Sequence, residues 1–355
     1  MNTYIIAEVG VNHNGNYDTA VELVNEAKKA GADAVKFQTF KASSLVTKSA
    51  KKAEYQYKNT GKKDTQFDML NKLELSYEEQ QKLFNLCEDI GINFLSTAFD
   101  SDSLKFLVDK IGLKTLKISS GDLTNAPLLL EFGKTKRDLI LSTGMANIQE
   151  IEGALSILAF GLLEKEDPSE QNFKDLSKSP EAQKILREKV SLLHCTTEYP
   201  APLNEINLKA MTTLKERFGL STGYSDHSEG IMVSILAASH GANIIEKHFT
   251  LDRNLEGPDH ISSLTPKELK EMVSSIRNLE IIMGDNEKKP TKSELKNIPI
   301  ARKSIIALKD IKEGQNFTDE NIGIKRPGTG LSPIKFWDIL GTKSKKTYKS
   351  DEVID

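Results

Sequence analysis

The feature that most constrains the fold of this 355-residue chain is a repeated alternation of short apolar segments with helical patterns. Helical patterns such as 77–90, 147–160, 229–240 and 266–282 separate most of the apolar segments. Strands that alternate with helices predict a parallel sheet, and eight is the number that closes a TIM (β/α)8 barrel. A doubly wound open sheet is the alternative, but no glycine-rich fingerprint follows the first strand. The eight predicted strands are 4–9, 33–37, 92–97, 114–119, 138–143, 190–195, 220–225 and 242–247.

Two insertions and a change of pattern divide the chain further. Residues 41–76 follow the second strand, at the barrel end where long loops are usually functional. Residues 161–189 precede the sixth strand and are interpreted as a surface elaboration at the opposite end. After residue 284 the barrel pattern stops. We predict short strands in the segments RKSIIAL, KDIKEGQ and IGIKRPGTG. We expect a barrel domain over 1–283, a linker over 284–299 and a small second domain over 300–355.

Composition argues against several classes of protein. The net charge of −3 provides no global positive field for nucleic acid. No apolar run approaches the roughly 18 residues of a membrane span, and the N-terminus lacks the pattern of a signal peptide. The two cysteines, Cys87 and Cys195, fit a reducing cytosol. We therefore expect a cytoplasmic protein with a small-molecule ligand and neither a nucleic-acid nor a membrane partner.

Polar residues stand at the carboxyl end of every predicted strand. In a parallel barrel these ends face the active site, whereas a barrel with a purely structural role needs few polar groups there. The ring therefore predicts an enzyme. Its members are Glu8, Asn12, Lys36, Gln38, Ser96, Thr97, Lys117, Ser120, Ser142, Thr143, His194, Thr197, Ser225, Asp226, His227, Glu246, Lys247 and His248.

His227 and His248 end the seventh and eighth predicted strands. Neighbouring strands lie about 4.8 Å apart, so the two imidazoles could share a divalent metal, for which Mn²⁺ is suitable. Asp226 and Glu246 could then support the histidines or bind substrate. The alternative is a pair of hydrogen-bonded histidines without a metal.

Lys36 and Lys117 end two further strands. Each could form a Schiff base, bind phosphate or simply be a surface lysine. Together with Ser120, Ser142 and the backbone N–H groups near Gly121 and Gly144, they favour a phosphate site.

The remaining histidines are ambiguous. His13 could be catalytic or could form hydrogen bonds within its loop. His194 ends the sixth strand and is the better candidate for the site, whereas His240 lies in a helical pattern and is expected to be structural. Cys195 and His194 do not form a nucleophile pair, because successive strand residues point to opposite faces.

Nine ordered motifs and the C-terminal segment resemble the bacterial sialic acid (nonulosonate) synthase family. The likeness covers almost the whole chain, with 161–189 as the main unmatched segment. The motifs are IIAEVGVNHNG (5–15), AVKFQTF (34–40), FLSTAFD (94–100), LKISSGD (116–122), ILSTGM (140–145), LLHCTTEYPAP (192–202), GYSDHS (223–228), IIEKHFT (244–250) and GPDH (257–260), followed by IARKSIIALKDIKEG (300–314) and IKRPGTG (324–330).

The resemblance implies a TIM barrel followed by an antifreeze-like (SAF) domain, in a domain-swapped homodimer. It implies metal binding by His227 and His248, with Mn²⁺ first and Mg²⁺ or Co²⁺ as alternatives. Phosphoenolpyruvate would bind at Lys36, Thr97, Lys117, Ser120, Ser142 and Ser225, and the sugar at Glu8, Tyr199, Glu246 and Asp259, with Arg326 reaching across from the partner. Gln38 and Thr197 are further substrate-binding candidates, although some members have Asn at the latter position, and Asn59 is a candidate in the loop after strand two. Glu8, Lys36, Lys117 and Glu246 are the expected catalytic residues.

The implied reaction joins the methylene carbon of phosphoenolpyruvate to a sugar aldehyde, adds water and expels phosphate by C–O cleavage. The motifs HCTTEYPAP and GYSDHS favour 2,4-diacetamido-2,4,6-trideoxymannose as the sugar, with N-acetylmannosamine as the alternative. Three rival classes are a phosphoenolpyruvate-dependent sugar-phosphate synthase, a lysine aldolase and a non-catalytic binding protein.

Overall fold

The computed structural model describes residues 3–61 and 64–355, which form two compact units divided between Met283 and Gly284. The first unit is a closed barrel of eight parallel strands that pair in chain order, with the eighth strand next to the first. Each predicted strand lies within two residues of an observed strand, so the TIM barrel is confirmed and the open sheet is wrong. The strands are β1 (Tyr4–Gly10), β2 (Ala34–Thr39), β3 (Asn93–Ala98), β4 (Thr115–Ile118), β5 (Asp138–Ser142), β6 (Val190–His194), β7 (Ser221–Asp226) and β8 (Ile244–His248).

Helices cover the outside of the barrel, and their ends follow local sequence signals. The helix Tyr77–Ile90, for example, begins with a capping box of Ser76 and Glu79 and ends at Gly91 in the left-handed conformation. Within the described residues, no helix is long and apolar enough to cross a membrane. The helices are α1 (Tyr17–Ala30), α2 (Ala42–Leu45), α3 (Glu54–Thr60), α4 (Gln66–Leu73), α5 (Tyr77–Ile90), α6 (Ser101–Phe106), α7 (Ala126–Lys134), α8 (Ile148–Leu162), α9 (Glu170–Ser177), α10 (Pro180–Lys189), α11 (Lys209–Phe218), α12 (Met232–Ser239) and α13 (Pro266–Met283), with a π-turn at Leu107–Ile111 and 3₁₀ turns at Ser120–Asp122, Leu203–Glu205 and His260–Ser262.

Both predicted insertions contain helices. The segment 41–76 holds α2, α3 and α4, and its residues 62 and 63 lie outside the described part of the chain. The segment 161–189 holds α9 and α10, which pack against α8. Helix α9 buries no residue and α10 buries only Ala182 and Leu186, which agrees with a surface elaboration.

A layer of apolar side chains fills the barrel interior beneath a layer of polar ones. The apolar layer is a buried cluster of Ile6, Ala34, Leu95, Ile140, Leu193 and Ile244. Strand side chains alternate between the two faces, so a residue two positions further on points the same way. Those positions hold Glu8, Lys36, Thr97, Ser142, Cys195 and Glu246. Strand alternation thus places the polar groups inside the barrel, at its carboxyl end.

Gly223 makes room for this apolar layer. It pairs with Leu193 across β6 and β7, and a Cβ there would meet the Ile244 carbonyl oxygen and approach Leu193 Cδ2 to 2.7 Å. Since cores are close-packed, such a methyl group would force the neighbouring strand or side chain to move.

The second unit is a small structure with its own core. It contains α14 (Lys292–Leu295), α15 (Ile298–Ala301), the antiparallel strands β9 (Ser304–Ala307) and β10 (Ile322–Lys325), a 3₁₀ turn at Pro333–Lys335 and α16 (Phe336–Ile339). Its core includes Ile305, Ile311, Phe317 and Tyr348. Two of the three segments predicted as strands are strands, but KDIKEGQ forms only an isolated bridge at Ile311.

We expect Gly223→Ala to lower the free energy of unfolding by about 1–3 kcal/mol, because it overpacks the barrel interior. Urea denaturation followed by circular dichroism measures this change. Gly153→Ala is the matched control, because no atom lies within 4 Å of a Cβ at that exposed position in α8. Equal stability of the two variants would contradict the tight packing at Gly223.

Candidate active site

Strand register brings the candidate residues together in pairs. Glu8 lies opposite Lys36 across β1 and β2, and Ser225 lies opposite Glu246 across β7 and β8. Thr97 of β3 lies opposite Lys117 of β4. Because the barrel is closed, these pairs from distant parts of the sequence point into one space at the carboxyl end.

Four buried charges form the centre of the site. Lys36 Nζ lies 2.8 Å from Glu8 Oε2 and 3.6 Å from Glu246 Oε2, and Lys117 Nζ lies 3.9 Å from Glu246 Oε1. Lys36 also donates to Thr97 Oγ1 at 3.2 Å, and Ser225 Oγ donates to Glu246 Oε1 at 2.9 Å. Each of the four charged side chains is at most 5% exposed, so the cluster is shielded from solvent screening.

Burial and neighbouring charges set the protonation of this cluster. Burial raises the pKa of Glu8 to about 8, with Lys36 opposing the rise and Glu246 adding to it. Burial also disfavours ionisation of Glu246, but Lys117 and Lys36 outweigh it and hold the pKa below its ordinary value. Burial lowers the pKa of Lys117, whereas Glu246 and Glu8 overcome burial at Lys36 and raise its pKa. Glu8 therefore retains a proton to higher pH than Glu246.

Small hydroxyl and thiol groups surround the Lys117 ammonium. Lys117 Nζ donates to Ser142 Oγ at 2.7 Å and to the Ile118 carbonyl at 3.1 Å. Nearby, Ser120 Oγ accepts from Gly144 N at 3.0 Å and lies 3.2 Å from Cys195 Sγ.

Gly144 leaves open the space on which these groups converge. A Cβ at Gly144 would approach Ser120 Oγ to 2.9 Å and Cys195 Sγ to 3.0 Å, and it would also meet Thr197 Oγ1. Thr197 Oγ1 is buried and has no hydrogen-bond partner among the described residues. This side of the site has the donors that a phosphate or carboxylate group requires.

The two histidines lie beside the charged cluster, with ring centroids 5.6 Å apart. His227 Nδ1 is 2.6 Å from the Thr196 carbonyl, which can only accept, so this nitrogen carries the proton and Nε2 keeps its lone pair. Burial lowers the pKa of His227 to about 4, and burial with the neighbouring His227 lowers that of His248 well below its usual value. Both rings are therefore neutral at pH 7.

This pair fits a divalent cation. His248 Nδ1 is buried and has no hydrogen-bond partner in the described part of the chain. The carbonyl on His227 is the outer partner that orients many metal-binding imidazoles. The described residues contain no group of three or more metal-binding side chains, so the protein would supply two ligands and leave open positions.

The rim above the histidines comes from three loops. Tyr199 stacks on His227 with centroids 4.1 Å apart, and its hydroxyl donates to His227 Nε2 at 3.1 Å. Asn59 Nδ2 donates to the Pro258 carbonyl at 2.7 Å and contacts the Tyr199 carbonyl at 3.5 Å, so it ties α3 to the loops that carry Tyr199 and Asp259. Asp259 is buried, and burial raises its pKa to about 7. The long insertion after β2 thus helps to build the site.

Not all of the predicted ring faces the site, because alternate strand residues point outward. Asp226 is wrong as a substrate ligand, since its carboxylate pairs with Lys247 on the outer face. Ser96 contacts Thr39 behind the strands at 2.7 Å. His194 is also wrong as a site residue, since its Nε2 bonds the Ile206 carbonyl at 2.7 Å.

Other predicted positions have more limited roles. His13 Nδ1 accepts a hydrogen bond from Gly15 N at 3.0 Å, which agrees with the prediction that His13 stabilises its own loop. Gln38 lies on the Lys36 face of β2 and is half-buried. Arg326 is exposed in the second unit, where its Nε donates to the Ala301 carbonyl at 3.0 Å.

Two site residues escaped the sequence analysis. Cys195 faces the interior next to Ser120, and the two-residue spacing from Leu193 would have placed it there. Tyr55 lies against Tyr199 with centroids 5.0 Å apart. No sequence signal indicates that contact, because it depends on the path of the insertion.

Comparison with known proteins supports the resemblance seen in the motifs. Residues 23–288 match the NeuB family and residues 302–355 match the SAF domain. The chain is 47% identical over 352 residues to the N,N'-diacetyllegionaminic acid synthase of Campylobacter jejuni subsp. jejuni. The aligned region covers 99% of this chain and 98% of that protein. It is 45% identical over 343 residues to the N,N'-diacetyllegionaminic acid synthase of Legionella pneumophila subsp. pneumophila, over 97% of this chain and 90% of that protein.

A solved structure agrees with these relatives. The N-acetylneuraminic acid (sialic acid) synthetase of Leptospira borgpetersenii serovar Hardjo-bovis aligns with a TM-score of 0.66 and 34% identity, over 84% of this chain and 90% of that one. The family match spans most of the chain, the relatives are similar along nearly its full length, and the chain therefore belongs to the NeuB family and ends in a SAF domain.

Proposed function

We propose that this protein is a transferase that condenses phosphoenolpyruvate with 2,4-diacetamido-2,4,6-trideoxymannose and water, giving N,N'-diacetyllegionaminic acid and phosphate. The observation that carries the proposal is the buried cluster of Lys36, Lys117, Glu8 and Glu246 beside a neutral histidine pair. Buried lysines suit an anionic substrate, and a paired acid and carboxylate suit proton transfer.

The lysines explain how a phosphorylated acid can bind inside a barrel. Phosphoenolpyruvate carries a phosphate and a carboxylate, and their burial requires fixed positive charge. Lys117 with Ser142 and Ser120 would hold one anionic group, and Lys36 with Thr97 would hold the other. Substrate charge would then replace part of the pairing that Glu8 and Glu246 give the lysines in the free protein.

The reaction needs two proton movements at the sugar and at water. The methylene carbon of phosphoenolpyruvate forms a bond to the aldehyde carbon, and the aldehyde oxygen takes up a proton. Water then adds to C2 and loses a proton, and the tetrahedral intermediate expels phosphate by C–O cleavage. The remaining C2 hydroxyl proton passes to the departing phosphate, which leaves the keto acid. Glu8, whose pKa burial raises to about 8, would give the first proton. Glu246 would orient the sugar hydroxyls or accept a proton from water.

His227 and His248 would hold a divalent cation, with Mn²⁺ as the first choice and Mg²⁺ or Co²⁺ as alternatives. When bound, the ion would polarise the sugar aldehyde and hold a water molecule. The protein's own contribution is to keep both rings neutral and His227 in one tautomer, through burial and the Thr196 carbonyl.

Two observations favour a sugar with two acetamido groups. The two relatives with 47% and 45% identity are both N,N'-diacetyllegionaminic acid synthases. The motifs HCTTEYPAP and GYSDHS favour the same sugar. Tyr199, Asp259, Gln38 and Thr197 are the proposed sugar contacts.

The proposed assembly is a domain-swapped homodimer in which Arg326 reaches the sugar of the partner subunit. Arg326 is exposed, and among the described residues only its Nε donates a hydrogen bond, which suits contact across an interface. The proposed compartment is the cytoplasm, in keeping with two free and buried cysteines.

Phosphate release tests the proposed reaction. EDTA-treated protein with added Mn²⁺ and phosphoenolpyruvate should release phosphate with a much higher kcat/KM for 2,4-diacetamido-2,4,6-trideoxymannose than for N-acetylmannosamine. Release with N-acetylmannosamine alone would instead identify an N-acetylneuraminate synthase. Release only with a phosphorylated sugar would identify a sugar-phosphate synthase, and a preference for pyruvate would identify an aldolase.

We expect His248→Ala to lower Mn²⁺-dependent turnover by at least about 100-fold. Loss of a residue that only hydrogen-bonds a metal ligand already lowers metal affinity or activity about 10- to 100-fold. Circular dichroism should show an intact fold. His240→Ala is the matched control, because His240 bonds Thr212 on the helical surface and should keep full activity. Full activity of the wild type after EDTA treatment would remove the metal from the mechanism.

We expect Arg326→Ala to raise the KM for the sugar about 10-fold or more, the size expected for a lost charge-assisted hydrogen bond, while the KM for phosphoenolpyruvate changes little. Arg302→Ala, another exposed arginine of the second unit, should change neither KM. Equal increases of both KM values in Arg326→Ala would contradict a sugar contact.

A further inference from the structure

A fully buried ion pair lies directly behind the two histidines. Lys247 Nζ is 3.1 Å from Asp226 Oδ2, and both side chains are 0% exposed. Asp226 precedes His227 and Lys247 precedes His248 in the chain. Since successive strand residues point to opposite faces, the pair lies on the outer face while the histidines face the site.

The pair is also the last registered contact between the two strands. The pairing of β7 with β8 runs through Tyr224–Ile245 and Ser225–Glu246 and ends at Asp226–Lys247. His227 lies beyond the end of β7 and His248 is the last residue of β8. The separation of the two rings therefore depends on the contact immediately before them.

Further hydrogen bonds hold the pair in place. Asp226 Oδ1 accepts from Ser228 N at 2.9 Å and from Ser228 Oγ at 2.7 Å. Asp226 Oδ2 accepts from Ser234 Oγ of α12 at 2.7 Å, and Lys247 Nζ donates to the Ser228 carbonyl. The backbone on both sides of His227 is thus fixed to a charge on the neighbouring strand.

The energetics of such a pair argue against a role in stability alone. Desolvation offsets most of the attraction in a buried ion pair, and neutral side chains of similar size often stabilise a protein equally well. In some proteins a buried polar or ionic group instead fixes the register of the elements that carry it.

We propose that Asp226 and Lys247 are positioning residues that fix the strand ends so that His227 and His248 present their rings to one divalent cation. The inference rests on the proposed metal function of the histidines. The pair does not touch substrate, and its effect passes through the backbone of residues 226–228 and 247–248. In other proteins, residues that hydrogen-bond the metal ligands tune metal affinity. The ion pair of Asp226 and Lys247 would have the same effect through the strands that carry the ligands.

The test compares Mn²⁺ binding and ring order in the double variant Asp226→Asn, Lys247→Met with the wild type. The variant removes both charges without leaving one unpaired, so we expect similar stability in urea. The Kd for Mn²⁺, measured by electron paramagnetic resonance of free Mn²⁺, should rise about 10- to 100-fold. The KM for phosphoenolpyruvate should change little, because Lys36 and Lys117 remain in place.

Ring order is measured without metal. With only six histidines in the chain, ¹³Cε1-labelled protein should give one sharp signal each for His227 and His248 in the wild type, and broadened or doubled signals in the variant. If the wild type binds no Mn²⁺ but the ring signals still change, the metal proposal fails and the positioning role stands. An unchanged Kd together with unchanged ring signals would overturn the positioning role.

Two further variants distinguish a loss of stability from a loss of positioning. Asp33→Asn breaks the contact with Arg277 at 2.6 Å, at the amino end of β2, and should lower stability without changing the Kd for Mn²⁺. Ser234→Ala keeps both charges and removes one hydrogen bond to Asp226, so it should raise the Kd in the same direction by a smaller factor. If the double variant does not fold and Ser234→Ala leaves Kd and ring signals unchanged, the proposal is rejected.

Discussion

The contact on which the rest of the site depends is that of Lys36 with Glu8 and Glu246. Three strands supply these charges, and β1 lies between the other two, so the contact exists only because β8 closes the barrel against β1. A buried ammonium or carboxylate without a partner would be costly, so each charge requires the others. Within the same cluster the pKa of Glu8 is raised and that of Glu246 is lowered, so the two carboxyl groups differ in how readily they hold a proton.

The two faces of the same strands have different roles: the inner face carries the site residues, and the outer face contacts the surrounding helices. Inward residues such as Lys36, Glu246 and His248 face the ligand space, whereas Thr39 and Lys247 lie behind them. Thr39 bonds Ser96 and Gln80 of α5, and Asp226 bonds Ser234 of α12, so helices outside the barrel are tied to the strand ends that carry the site. Rigid strand ends with helices behind them hold charged groups in place before a ligand arrives, which is the requirement of electrostatic preorganisation.

The rim is built differently, from loops that differ in length along the barrel. Helix α3 of the long insertion reaches the loops after β6 and β8 through Asn59, and Tyr55 packs against Tyr199. These contacts form the part of the rim that lies against His227. Loops at this barrel end tolerate change more readily than strands, which suits a family whose members differ in their sugars.

The sequence by itself determined the barrel, because eight apolar segments alternating with helices have few other ways to bury their faces. It also determined which residues could do chemistry, since Glu8, Lys36, Lys117, Glu246, His227 and His248 all lie near the carboxyl ends of strands. Which strand-end residues point inward was decided by register and alternation, so Asp226 and His194 faced outward and Cys195 faced inward. The protonation of Glu8, the tautomer of His227 and the contact of Tyr55 with Tyr199 depended on tertiary structure alone, because burial and distances between groups far apart in the chain set them.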